Sequence, residues 1–374
     1  MKLDFLKYKS YQFCDNSECE YFEKIGSENI GIKSSKNYQV YCKGCRNSWV
    51  ITKKTFFYNL KTPVETILSV LKLLSEGMGV HAVCRSTGVT ADSIRSWTLR
   101  AAQHVNELSA YLQQDMHLTQ CQIDEFWSFI YKKKGNLREE EVGKEDRGDR
   151  WCFVNVLPRS SFIHTVHHGK RNQEETDKFV EKVKSQSDGQ APLFLSDGWS
   201  SYEETLKKHY CTWELVPYSG RGRPKNPIQL VDSHLNYAQV VKTKKNGKLI
   251  ELQTRVILGK EEDILKIIQS DNRGKTINTS YVESRNGNYR KDNKRLTRKT
   301  QCHSKKCDVH DAQIDFITAV YNFVDEAAAF RECINPSAKK FETKYRKVAP
   351  AMLEGITDRR LSLEELLMMR GRSS

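Results

Sequence analysis

Apolar residues recur at helical spacing in one early part of the chain. From Thr62 this spacing predicts an amphipathic helix, with Thr62 as its cap and Gly77 at its end. Residues 80–85 predict a second short helix, and a third helix is predicted to follow Thr90 as its cap. Helices separated by short glycine-containing turns predict a helix-turn-helix over residues 62–114.

The middle of the chain shows strand-like rather than helical patterning. Short runs rich in β-branched and aromatic residues alternate with turn residues and amphipathic helices. The resulting order β-β-β-α-β-α-β is that of an RNase H-like domain. The predicted elements are strands at 121–131, 151–157 and 161–167, a helix at 172–184, a strand at 193–196, a helix at 202–208 and a strand at 212–216.

Residues 217–275 interrupt this order. Their Gly-Arg-Pro-Lys stretch at 219–227 predicts a loop. Two further segments at 238–242 and 248–258 have strand character and predict an added hairpin. We interpret the whole of 217–275 as an insertion into the RNase H-like domain.

Helical patterning resumes after the insertion, near Thr279, and is strong from 308 to 329. The mixed-sheet α/β domain is therefore expected to cover residues 120–330. The remaining tail, residues 335–374, is charged and only weakly periodic. No function follows from the tail's pattern.

The charge of the chain favours a polyanionic partner. Its 374 residues include 61 Lys and Arg against 47 Asp and Glu, a net charge of +14, and the cations cluster at 242–248 and 285–306. Clustered positive charge is typical of nucleic-acid binding. Since no apolar run is long enough to cross a bilayer or to serve as a signal peptide, we expect a cytoplasmic protein without a membrane partner, nucleoid-associated if prokaryotic.

Four N-terminal cysteines occur as two close pairs, Cys14-x4-Cys19 and Cys42-x2-Cys45. Two such pairs about twenty residues apart are typical of a tetrahedral zinc site, which can organise a unit too small for an adequate core. They predict a zinc ribbon over residues 11–58. The alternative is that the four are free core cysteines.

A second group of possible metal ligands lies near the C-terminal end of the basic segment. It consists of Cys302, His303, Cys307 and His310. Because no partner pair occurs elsewhere in the chain, we interpret these residues as structural rather than metal-binding.

Two acids stand where apolar strands are predicted. Asp124 lies within Gln-Ile-Asp-Glu-Phe-Trp, and Asp197 ends Leu-Phe-Leu-Ser-Asp. A buried anion requires a compensating cation or hydrogen bonds, and Mg²⁺ or Mn²⁺ is the cation that hard carboxylate ligands prefer. Glu283 can complete the set from a later helix. Taken singly, each Asp could instead be a turn residue or an ion-pair partner.

The residues around these acids form a recognisable set. They are Asp124-Glu125-x-Trp127, Asp197-Gly198-Trp199-x-x-Tyr202-Glu203 and Glu283-x-x-Asn286-x-Asn288-x-Arg290, followed by His310-Asp311.

This set resembles the catalytic pattern of the insertion sequence 1 family of transposases, and the resemblance covers most of residues 11–325. It implies a zinc ribbon, a helix-turn-helix and an RNase H-like domain that cuts and joins DNA at transposon ends with a DDE metal site. Asp124, Asp197 and Glu283 would be its catalytic residues and metal ligands.

The chain departs from the simplest members of that family in two places. The spacing from Asp197 to Glu283 and the loop 132–149 are both longer. Glu283 is favoured because Asn286 and Arg290 follow it at i+3 and i+7, on one helical face. The alternative third acids are Glu203, Glu204 and Glu214.

Candidate DNA contacts lie in two segments. In the third predicted helix, Arg95 and Arg100 are placed to reach bases or phosphates, although an ordinary helical bundle would show similar polar residues. Trp127 and Trp199 could stack on a base or belong to the core. In the basic segment that follows Glu283, the candidates are Asn286, Arg290, Lys291, Lys294 and Arg295.

These observations predict a transposase that cleaves transposon-end DNA and transfers the strand to target DNA. Its partners would be double-stranded DNA, both terminal inverted repeats and target, and a second copy of the chain, because two ends must be held together. One alternative is a catalytically inactive, sequence-specific DNA-binding regulator derived from a transposase. Another is a nuclease that cleaves without joining.

Overall fold

The computed structural model describes residues 5–371 apart from 26–27, 145, 218–222, 224–225, 247, 272–273 and 328. The chain separates into two compact units. The first combines Met1–Leu112 with Arg290–Ser374, and the second is Gln113–Tyr289. In the described part of the chain, no helix has both the length and the apolar character needed to cross a bilayer.

The first unit begins with a small sheet built around cysteines. A short helix, α1 (Phe5–Lys9), precedes the antiparallel strands β1 (Ile30–Ser34), β2 (Gln39–Cys42) and β3 (Ser48–Val50), which pair in the order β1-β2-β3. Its core consists of Cys14, Cys19, Ile30, Val40, Cys42 and Trp49. Half of the side chains in this cluster are thiols.

Three helices follow in the same unit: α2 (Val64–Ser75), α3 (Val80–Thr87) and α4 (Ala91–Leu112). The predicted Thr62 cap is wrong, since α2 begins at Val64 after Pro63 and has no side-chain cap.

A tight turn joins α3 to α4. Gly88 ends α3 at φ 73°, a left-handed conformation that glycine adopts without steric cost. The predicted cap of α4 is present, because the Thr90 hydroxyl accepts a hydrogen bond from the Ser93 N–H at 3.3 Å.

The second unit contains a mixed α/β sheet in the strand order β11-β10-β7-β4-β5-β6. Strands β4, β5 and β6 are antiparallel neighbours, whereas β7 and β10 run parallel to β4. This six-stranded arrangement, counted over the described residues, is consistent with an RNase H-like fold. Its elements are β4 (Gln120–Ile130), β5 (Gly148–Leu157), β6 (Phe162–Gly169), α5 (Gln173–Ser185), β7 (Leu193–Ser196), α6 (Ser201–His209), β8 (Cys211–Glu214), β9 (Ile228–Val231), β10 (Asn236–Lys245), β11 (Lys248–Leu258), α7 (Glu261–Ser270) and α8 (Ser280–Asp292).

The predicted strand at 212–216 lies outside the main sheet. It is present as β8, which pairs with β9 in a separate two-stranded hairpin. The strand that pairs with β7 on the side away from β4 is β10, which the sequence pattern assigns to an added hairpin. The physical reason is burial: Ala238 and Val240 on β10 are buried, whereas Trp213 on β8 is 63% exposed. Most of the predicted loop at 219–227 lies outside the described residues.

The last part of the chain belongs to the first unit, although we had predicted that residues 290–330 would end the RNase H-like domain. It comprises α9 (Cys307–Phe323), β12 (Arg331–Cys333), β13 (Tyr345–Lys347), α10 (Pro350–Leu353) and α11 (Leu363–Met368). Helix α9 packs along α4, and Asn106 donates a hydrogen bond to Asp315 at 2.8 Å.

The C-terminal tail contributes to the core of the first unit. Helix α11 buries Leu366, Leu367 and Met368. Just beyond it, the fully buried Arg370 side chain lies over the rings of Phe13 and Trp49 and forms an ion pair with Asp15 at 2.8 Å.

Candidate functional site

A cluster of carboxylates lies where β4 and β7 run side by side in the second unit. Ile123 on β4 is paired in parallel with Ser196, the last residue of β7, so the residues that follow them, Asp124 and Asp197, are neighbours. Carboxylate oxygens of Asp124, Glu125 and Asp197 all lie within 4.8 Å of one another. Three acids this close repel one another unless a proton or a cation compensates them.

The ionisation of Asp124 is strongly perturbed within this cluster. Burial raises its pKa to about 7, and the negative charges of Glu125 and Asp197 act in the same direction. The Asn286 amide on α8 donates a hydrogen bond to the Asp124 carboxylate at 2.8 Å. A bound cation would replace the proton that this carboxyl group otherwise retains near neutral pH.

Glu125 is compensated by groups of the protein itself. Its carboxylate accepts a hydrogen bond from the Tyr202 hydroxyl on α6 at 2.9 Å and forms an ion pair with Arg171. Burial nevertheless raises the Glu125 pKa. Because successive strand residues point to opposite faces, Glu125 meets α6 while Asp124 meets α8.

Arg171 is held between two tryptophan rings. Its guanidinium carbon lies 5.0 Å from the ring centroid of Trp151 and 4.1 Å from that of Trp199. The same guanidinium approaches the Asp197 carboxylate at 3.7 Å. Trp199, which we had considered for base stacking, therefore has an intramolecular partner.

Asp197 is the more accessible of the two aspartates, with 44% of its side chain exposed. One of its carboxylate oxygens accepts a hydrogen bond from the Trp199 backbone N–H at 3.0 Å, which fixes the turn after β7. Its other oxygen is the one that Arg171 approaches at 3.7 Å.

Hydrogen bonds of Gln122 hold the start of α8 against the face of β4 that carries Asp124. The buried Gln122 side chain accepts hydrogen bonds from the backbone N–H groups of Tyr281 at 3.0 Å and Val282 at 3.2 Å. It also donates to the Asn278 carbonyl at 2.8 Å. We did not predict this role, although a glutamine two residues before a buried aspartate in an apolar strand was the available signal.

Glu283 lies in the first turn of α8, near the cluster. Its half-exposed carboxylate pairs with Lys242 on β10 and accepts a hydrogen bond from the Thr279 hydroxyl at 2.5 Å. Its charge contributes to the raised pKa of Asp124. Among the described acids, the group whose oxygens meet within 4.8 Å contains Glu125 rather than Glu283. The same group does not include the three alternative candidates for the third acid, Glu203, Glu204 and Glu214.

The four N-terminal cysteines converge in the first unit. The Sγ atoms of Cys14 and Cys45 are 3.4 Å apart, those of Cys19 and Cys42 are 3.7 Å apart, and none forms a disulfide. Thiolates bound tetrahedrally at about 2.3 Å would be separated by roughly 3.8 Å. The cluster is therefore compatible with zinc. The cysteines at 302 and 307 form no such group among the described residues.

The predicted DNA-contacting residues of α4 occupy different environments. Arg95 is partly exposed and pairs with Asp92 at 2.6 Å. Arg100 donates a hydrogen bond to the Tyr58 carbonyl, and burial lowers its pKa. Arg100 is therefore already engaged by the protein.

The five candidates that follow Glu283 also differ in exposure. Asn286 is buried and bonded to Asp124, and Arg290 is half-buried. Lys291 and Lys294 are exposed, whereas Arg295 is half-buried and its pKa is lowered mainly by burial.

No protein-family model matches the chain, and no curated protein matches it. Solved structures that resemble it include a pre-cleavage Mos1 transpososome, with 11% identity, a TM-score of 0.17, and coverage of 41% of this chain and 60% of that chain. A Mos1 transposase paired-end complex with the left transposon end has 10% identity, a TM-score of 0.16, and coverage of 40% and 59%. The mariner Mos1 paired-end complex with Mg has 10% identity, a TM-score of 0.16, and coverage of 70% and 80%.

The chain spans less than two thirds of the length of the first two Mos1 structures. TM-scores this low define neither the family nor the activity of the chain.

Proposed function

We propose that this chain is a DDE transposase, which binds transposon-end DNA and catalyses metal-dependent cleavage and strand transfer. The observation that supports it best is the pair Asp124 and Asp197, placed side by side on parallel strands of an RNase H-like sheet. A close pair of carboxylates on neighbouring strands suits phosphoryl transfer, because metal ions bound there would compensate the charge on both reacting oxygens.

Asp124 and Asp197 would hold Mg²⁺ or Mn²⁺, for which hard carboxylate oxygens are the preferred ligands. The donor set fits, because burial and then the charges of Glu125 and Asp197 raise the Asp124 pKa, and a bound cation would offset these effects. When bound, the divalent ions activate the attacking oxygen and stabilise the leaving oxygen.

Glu283 is our proposed third ligand. Glu125 is committed to Arg171 and Tyr202, which would have to release it before it could bind a metal. The Glu283 carboxylate is half-exposed and near enough to Asp124 to affect its ionisation. A change of side-chain rotamer on α8 would free it from Lys242.

Three other side chains prepare the site. Asn286 orients the Asp124 carboxylate through its donated hydrogen bond. Gln122 fixes the start of α8, which carries both Asn286 and Glu283. Arg171 keeps Glu125 from adding a full uncompensated charge to the cluster.

The first unit supplies the proposed DNA-binding portion. Zn²⁺ bound by the four clustered cysteines would complete a zinc ribbon over residues 11–58, and α2 to α4 would act as a helix-turn-helix. With the sequence pattern described above, this supports membership of the insertion sequence 1 family. The partners would be terminal inverted repeats and target DNA, held by a homodimer or larger oligomer.

The test compares purified wild type with Asp197→Asn on labelled duplexes taken from the sequences that flank the chain's own gene. Each reaction contains Mg²⁺ or Mn²⁺ and a target plasmid. We expect metal-dependent cleavage and joined products in the wild type only, with equal DNA affinity in both proteins. Cleavage without joining would identify a nuclease, and binding without cleavage would identify a DNA-binding regulator.

A further inference from the structure

A cationic cleft of about 620 Å³ is present in the first unit, separate from the carboxylate cluster of the second unit. One wall is formed by α3 and the start of α4, and the other by the segment 294–309, which leads from α8 into the first residues of α9. The basic side chains that line it are His81, Arg85, Arg95, Lys294, Arg295, His303, Lys305 and Lys306.

The protein itself compensates little of this charge. Asp92 is the single acid among the described lining residues, and it already pairs with Arg95. Within the described part of the chain, no side-chain hydrogen bond or ion pair is formed by Arg85, Lys294, Lys305 or Lys306. Like charges that surround a concave space repel one another, and a bound anion relieves that repulsion.

The wall formed by segment 294–309 is rigidly supported. Arg295 donates a hydrogen bond to Gln313 on α9 at 2.6 Å, and the buried Ser304 hydroxyl pairs with His310 at 2.7 Å. Leu296 is buried as well. The cations on this segment are therefore held close to α3 and α4 before any ligand arrives, which lowers the entropy cost of binding.

We propose that this cleft binds consecutive phosphate groups of a DNA backbone. The inference rests on the proposed function for the identity of the polyanion and adds where and how that polyanion is held. Among the described lining residues there is no Phe, Tyr or Trp on which a base could stack, and the cations are more numerous than one phosphate requires. Contacts of this kind position the duplex without reading its sequence.

The test variant combines Lys294→Gln, Lys305→Gln and Lys306→Gln. Its matched control combines Lys339→Gln, Lys340→Gln and Lys344→Gln, exposed lysines of the same unit outside the cleft and outside the proposed zinc ribbon and helix-turn-helix. The probe is a labelled duplex of arbitrary sequence, titrated by fluorescence anisotropy at several salt concentrations. Thermal melting of all three proteins establishes that they are folded.

We expect the cleft variant to lose affinity by on the order of a hundredfold at about 0.1 M salt, and the slope of log K against log salt to shrink by about 0.9 for each lost contact. The control should follow the wild type. Lys294→Arg, which keeps the charge, should retain affinity.

Equal affinity of the cleft and control variants would overturn the cleft proposal while leaving the transposase proposal intact. Absence of DNA binding by the wild type would instead contradict the transposase proposal. Calorimetric titration with inorganic phosphate separates the two sources of the ligand. Tight phosphate binding that the triple variant loses, together with unchanged DNA affinity, would identify a small-anion site and overturn backbone binding.

Discussion

Asn286 on α8 donates a hydrogen bond to Asp124 on β4 at 2.8 Å, and this bond joins the helix of the site to its central strand. Both residues are largely withdrawn from solvent, so the bond is not weakened by competing water. The orientation of the most strongly perturbed carboxylate in the site thus depends on a side chain from a different element.

Asn286→Ala is therefore expected to reduce metal-dependent cleavage by roughly 10- to 100-fold, the usual effect of removing a group that orients a metal ligand. The effect should appear mainly as a higher Mg²⁺ concentration for half-maximal rate. Ser284→Ala, at an exposed residue of the same helix outside the catalytic pattern, is the control and should leave the Mg²⁺ dependence unchanged. Equal behaviour of the two variants would show that Asn286 does not act through Asp124.

The hydrogen bonds of Gln122 lead to a prediction about α8 itself. Gln122→Met conserves volume but leaves the N–H groups of residues 281 and 282 without their acceptor. We expect a loss of about 2 kcal/mol in unfolding free energy, since buried polar groups become unsatisfied. Hydrogen exchange should accelerate in the first turn of α8 and not in α5. Uniform acceleration in both helices would mean that Gln122 stabilises the fold without fixing α8.

The third metal ligand is decided by comparing two isosteric variants. Glu283→Gln should abolish metal-dependent cleavage, because a neutral amide is a poor ligand for Mg²⁺. Glu125→Gln should leave substantial cleavage, because Glu125 is engaged by Arg171 and Tyr202. DNA binding and melting temperature are measured for both variants. The reverse pattern of activities would assign the ligand to Glu125.

Zinc should be required for the folding of the N-terminal part of the first unit. Cys42→Ser removes one of four converging thiols, and we expect loss of bound zinc, measured by mass spectrometry, with a lower melting temperature. Cys333→Ser, at an exposed cysteine, is the control and should retain about one zinc per chain. Full zinc content in the Cys42 variant would exclude the four-cysteine site.

The placement of Asp124 within one strand and of Asp197 at the end of another could be predicted because it follows from local pattern. Each acid interrupts or ends a short apolar run, and such runs form buried strands whose polar exceptions have a purpose. The helix that carries Glu283 and Asn286 followed from spacing alone.

The pairing of β10 with β7 could not be predicted from the same kind of pattern. Thr212 and Trp213 suit a strand as well as Val240 and Val241 do, and both segments are strands. Which of them joins the main sheet depends on long-range burial, which is not encoded in a short window.

Two contacts of arginine residues also could not be predicted from the sequence. Arg171 lies just before a helix and belongs to no periodic pattern, yet its guanidinium contacts Glu125, which is 46 residues away in the sequence. Arg370 lies in a weakly periodic tail and reaches Asp15, which lies 355 residues away. An isolated charged residue does not indicate its partner, because ion pairs of this kind are defined only by the tertiary fold.

A buried histidine predicts how stability depends on pH. His164 in the second unit is 2% exposed, and burial lowers its pKa to about 4. The unfolded chain binds a proton at this residue below about pH 6.5, whereas the folded chain does so only below about pH 4. The contribution of His164 to the unfolding free energy is therefore largest above pH 6.5. It decreases as the pH falls toward 4, by up to about 1.4 kcal/mol per pH unit. His164→Gln should remove that part of the slope in urea denaturation at pH 7, 6 and 5, while His234→Gln, at an exposed histidine, should not. If both variants keep the wild-type slope, His164 binds protons equally in the folded and unfolded chains, and its burial does not control its ionisation.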